Sequence, residues 1–138
     1  IVLCGPDDTD ALTEFRQLLQ QYPLENVYVM PSILPLRIFA LVINALDGLV
    51  TAETMASNLA IATPGWDQPL IICGGPQPMW EVDPQGKNVS ILDKKLPCSP
   101  CYKGKKSSYL LAGTVQYLSC MKFNPMEIVQ ILQNSLPY

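Results

Sequence analysis

The densest group of residues able to do chemistry is Thr51-Ala52-Glu53-Thr54-Met55-Ala56-Ser57-Asn58. It stands between a short apolar run and a helical pattern, so it opens a helix. Backbone N–H groups and the positive end of the helix dipole then face any ligand bound there. A phosphate suits such a place, with the Thr54 and Ser57 hydroxyls as extra donors. Glu53 is badly placed to welcome a phosphate, but its carboxylate could accept two hydrogen bonds from a ribose or sugar diol. The competing use of Thr51 to Thr54 is plain helix capping, the commoner role of such residues. A second candidate is Gly74-Gly75-Pro76, which follows an apolar run and permits either close backbone approach to a ligand or only a turn.

The sulfur chemistry is concentrated in Cys98-Ser99-Pro100-Cys101 and Cys120. A structural zinc or iron site wants four ligands, and neither a histidine nor a nearby fourth cysteine completes this set. Asp93 or a water could do so, but free thiols or a redox-sensitive pair are the preferred reading. The three cysteines are expected in one loop cluster. Cys4 and Cys73 sit in apolar runs, where cysteine behaves as a small hydrophobe. The chain has no histidine, which excludes Ser–His and Cys–His nucleophilic machinery and the usual histidine metal sites within it. There is no G-x-G-x-x-G after the first apolar run and no Walker motif, which argues against a dinucleotide oxidoreductase or a P-loop enzyme. No cofactor is expected. Asn88-Val89-Ser90 fits the glycosylation acceptor pattern, a chance match in this reading.

The elements that must position these residues alternate. Ile1 to Cys4, Asn26 to Met30, Leu49 to Thr51, Leu70 to Cys73 and Val89 to Leu92 read as short strands. Between them, Ala11, Leu12, Phe15, Leu18 and Leu19 form one helical stripe behind the acidic and hydroxyl residues Asp7 to Asp10. Leu36, Phe39, Ala40, Ile43 and Asn44 suggest a second helix closing near Asp47-Gly48, with glycine in the left-handed conformation. A third helix runs from Thr54 to Ala62. The last runs from Pro125 to Leu136, with Asn124 as cap and proline at its first position. Strands alternating with helices imply a parallel, doubly wound α/β sheet of about five strands. Ligands on such sheets bind beyond the carboxyl ends of the strands, at Gly5 to Thr9, Met30 to Leu34, Thr51 to Asn58 and Gly74 to Trp80.

One domain is expected over the 138 residues. The chain is 49% hydrophobic and 15% charged, against about 25% charged in typical domains. That balance suits an α/β core with a surface turned toward a partner. The net charge is only -3, and Lys94, Lys95, Lys103, Lys105 and Lys106 gather without interleaved aromatics, so nucleic acid is not an expected partner. The apolar stretch from Ile33 to Val50 is interrupted by Pro35, Arg37, Asn44 and Asp47 and falls short of the roughly 20 clean residues of a spanning helix. The opening Ile1-Val2-Leu3-Cys4-Gly5 reads as a strand inside a longer protein, with no signal peptide. An odd number of cysteines without such a signal favours reduced thiols and a cytoplasmic location.

Three segments, taken together, resemble the C-terminal half of glycosyltransferase family nine, the heptosyltransferase-like enzymes. They are GLVTAETMASNLAIATPGWDQPLIICGG, LPCSPCYK and SCMKFNPMEIVQIL, in the family's order and spacing across residues 48 to 136. Residues 1 to 47 fit in general layout only. The resemblance implies one Rossmann-like half of a two-domain GT-B enzyme that holds a nucleotide diphosphate sugar, such as an ADP-heptose. A separate N-terminal domain then brings the acceptor, a cell-surface glycan or protein, and the acidic catalytic residue. By this resemblance Glu53 stands at the family's aspartate and Thr54 at its threonine, and donor binding falls to Thr51, Glu53, Thr54, Ser57, Asn58, Gly5, Gly74 and Gly75. Met55 replaces a glycine and Asn58 a histidine. A side chain at 55 narrows the approach to a diphosphate, and Asn58 can hydrogen-bond but carries no charge. The family loop often has a fourth cysteine between Cys101 and Cys120, and here it has none.

Those two replacements motivate an alternative, a non-catalytic relative that binds a partner or nucleotide. A receiver-like signalling domain is the remote third reading, prompted by Asp7-Asp8 and Lys94. It fails because the third strand ends in Thr51-Ala52, without an aspartate to accept a phosphoryl group.

Overall fold

The computed structural model describes residues 1–5, 8–30, 33–75, 88–96 and 122–136. The chain forms two compact units, Ile1–Phe39 and Ala40–Tyr138.

In the first unit, two of the expected strands reduce to one parallel bridge between Val2 and Val29. The Val2 N–H donates to Tyr28 O at 2.8 Å and the Met30 N–H to Val2 O at 3.1 Å. The pairing is parallel, but it does not propagate. On one side the chain turns at Gly5, whose N–H is taken by the Asp8 carboxylate at 2.8 Å. Helix α1 follows over Thr9–Gln21, with Asp8 at its N-cap position. The expected acidic cap is therefore only positional: the Asp8 side chain makes no bond into the helix and reaches back to Gly5 instead. Of the expected stripe, Leu12, Phe15 and Leu19 are half-buried, whereas Ala11 and Leu18 are exposed.

Helix α2 spans Leu36–Asn44. It does not close on a left-handed glycine, because Gly65 is the only glycine with positive φ among the described residues. The end tightens instead, with Ala45 N–H shared between Leu41 O and Val42 O and Leu46 N–H bonded to Ile43 O. Gly48 serves a different purpose. A Cβ there would lie 3.3 Å from Pro69 O and 3.3 Å from Leu132 Cδ1, so glycine permits a close approach.

The second unit holds a parallel sheet of three strands, β1 (Leu49–Ala52), β2 (Leu70–Cys73) and β3 (Val89–Leu92), in that spatial order. The described residues thus contain an α/β fold with three strands rather than five. Their register is Leu49 to Leu70 to Val89 at one end and Ala52 to Cys73 to Leu92 at the other. β2 is central, and Leu70, Ile71 and Ile72 are all buried, as an unbroken aliphatic run in a parallel sheet demands. Each such side chain stabilises the unit by roughly 1.5–3 kcal/mol. Helix α3 (Met55–Ala62) connects β1 to β2 and lies against both, with Ala60 buried beneath it. Ile43 and Leu49 complete the core. Helix α4 (Pro125–Ser135) starts as its sequence predicts: the Asn124 side chain accepts from Met126 N–H at 3.0 Å, and proline occupies a position needing no donor. Among the described residues no helix is long and apolar enough to cross a membrane.

Candidate functional site

All three strands run parallel, so their carboxyl ends share one edge. Ala52, Cys73 and Leu92 form its last paired rung. The Gly74 N–H then donates to Leu92 O at 2.7 Å, extending the ladder by one step. Glu53, Gly74 and Asp93 are the residues that directly follow the three strands, Glu53 in the bend that leads into α3. Gly74 and Gly75 are both buried.

The start of α3 is built by Thr54 and Ser57. Thr54 is its N-cap in extended conformation, and its Oγ1 accepts from Ala56 N–H at 3.3 Å. Ser57 Oγ accepts from Thr54 N–H at 3.1 Å and donates to Thr54 O at 2.7 Å, closing a capping box. Ser57 is fully buried and its hydroxyl is bonded twice inside the cap. In this arrangement it holds the helix start and has no proton to offer a ligand. Thr51 and Thr54 differ, because their hydroxyl oxygens lie 3.3 Å apart and either can donate. One proton serves that contact, which leaves one of the two hydroxyl protons for a ligand.

Met55 occupies the first helical position and is 52% exposed. Asn58 is exposed one turn into the helix, with its backbone N–H on Thr54 O at 3.2 Å. Glu53 is half-buried and makes no hydrogen bond or ion pair among the described residues. Thr51, Glu53, Thr54, Ser57, Asn58, Gly74 and Gly75 thus belong to one unit, along one sheet edge. Gly5 belongs to the first unit, where its N–H is bonded to Asp8. Cys98, Cys101 and Cys120 lie outside the described residues, as do Asp7 and residues 76 to 80. No group of three or more potential metal ligands occurs among the described residues. Cys4 and Cys73 are free thiols, and burial pushes the Cys73 thiol above its ordinary value, which keeps it protonated and unreactive.

A basic group at the exit of β3 completes the edge. The Lys94 ammonium donates to Lys122 O and sits 5.6 Å from the centroid of the Phe123 ring. Asp93 Oδ1 accepts from Lys95 N–H at 3.0 Å, and Lys95 adopts φ 46. Lys94-Lys95 is visible in the sequence directly after a strand. Nothing in the sequence signals that Lys122, in the lead-in to a distant helix, meets it.

No protein-family model, curated protein or solved structure matches this chain.

Proposed function

We propose that the chain is the donor-side domain of a glycosyltransferase and holds a nucleotide diphosphate sugar along the carboxyl edge of its parallel sheet. The observation that carries this reading is the passage from β1 through Glu53 and Thr54 into capped helix α3 and on to buried β2. That passage supports the order of elements that the resemblance to the family nine transferases implies for residues 48 to 74. Glu53, half-buried and unpartnered among the described residues, accepts hydrogen bonds from a sugar or ribose diol. The free proton of the Thr51–Thr54 pair and the Met55 N–H supply neutral donors beside it. Transfer itself needs an acceptor and a base held within reacting distance, which in the two-domain arrangement come from a separate domain. Effective molarities of order 10⁵ M or more are lost without it, so this chain alone binds donor weakly and does not transfer it.

The alternative, a binding protein without catalysis, is favoured by one feature: Met55 is exposed at the helix start, where a bare backbone would admit a diphosphate more closely. Both readings are tested by titrating the chain with ADP-, UDP- and GDP-sugars while following amide resonances. Donor binding requires shifts at Thr51 to Asn58 and their loss in Glu53→Ala, at a cost of about 1–3 kcal/mol for hydrogen bonds to a charged acceptor. Met55→Gly tightens binding if the methionine crowds the diphosphate. If no nucleotide sugar moves those resonances at millimolar concentration, the donor reading is wrong.

A further inference from the structure

We draw no further inference here: the strongest candidate, the surface patch of exposed apolar side chains that Ile38 and Leu41 form on α2, carries none because nothing in the structure shows what covers it.

Discussion

Replacing Ser57 by alanine removes a single buried oxygen that makes two of the three side-chain-to-backbone bonds within the α3 cap. The Thr54 carbonyl keeps a partner, since Asn58 N–H also donates to it at 3.2 Å. The Thr54 N–H loses its acceptor and is left partly buried. An orphaned buried donor costs about 1–3 kcal/mol, and the lower half of that range applies where water can reach it. Alanine returns up to about 0.5 kcal/mol through its better helix propensity, so Ser57→Ala should destabilise by about 1 kcal/mol. Urea unfolding followed by circular dichroism should show a lower midpoint at unchanged slope, and the Thr54 amide should exchange faster. Asn58→Ala is the control, exposed and without a side-chain bond among the described residues, and should change stability by no more than about 0.5 kcal/mol. A Ser57→Ala chain as stable as wild type, with Thr54 protection intact, would refute the assignment of this hydroxyl to the cap. It would also return Ser57 to the residues available to a ligand.

Gly48→Ala should lower the unfolding midpoint by an amount equivalent to about 1–3 kcal/mol, because its Cβ meets a backbone oxygen that cannot swing aside. Adding Leu132→Ala should not restore it, since the Pro69 carbonyl remains. Gly65→Ala should cost about 1 kcal/mol in the same assay despite open space around it, because φ there is +78; Gly65→Asn should cost less. Burial raises the Cys73 pKa above its ordinary 9.0. The unfolded chain then loses the thiol proton first, so stability contributed below pH 9.0 is lost as pH rises through the folded-state pKa. The gap in urea midpoint between wild type and Cys73→Ala should narrow in that window, and an unchanged gap would remove Cys73 as the cause.

Much of the second unit was legible in the sequence because each signal there is local. Leu70-Ile71-Ile72-Cys73 has no polar side to show and becomes the central strand. Asn124-Pro125 starts α4 with a side chain and a ring that need nothing from the rest of the chain. Thr54 forms the cap expected within Thr51 to Thr54, but the Ser57 hydroxyl, read in the sequence as a donor for a ligand, is bonded within the cap instead. Gly48 misled for a related reason: glycine after a helix ordinarily marks a left-handed closure, and here its value lies in Pro69 and Leu132, both remote in sequence. The first two strand readings overreached because β propensity in Ile1 to Cys4 and Asn26 to Met30 says nothing about how many rungs a pair can extend.

The electrostatic character of the candidate edge depends on a contact of this non-local kind. Read as a motif, Thr51 to Asn58 contributes one carboxylate and no cation, a poor receptor for a diphosphate. Read along the sheet register, it gains a second carboxylate at Asp93 and becomes poorer still. Positive charge enters with Lys94 and Lys95 directly after Asp93, and the Lys94 ammonium is bonded to the carbonyl of Lys122, which the chain reaches long after β3. The capping box limits what α3 offers an anion. A donor seated there would place its diol toward Glu53, so Glu53 variants should alter discrimination among sugars more than affinity for the nucleotide.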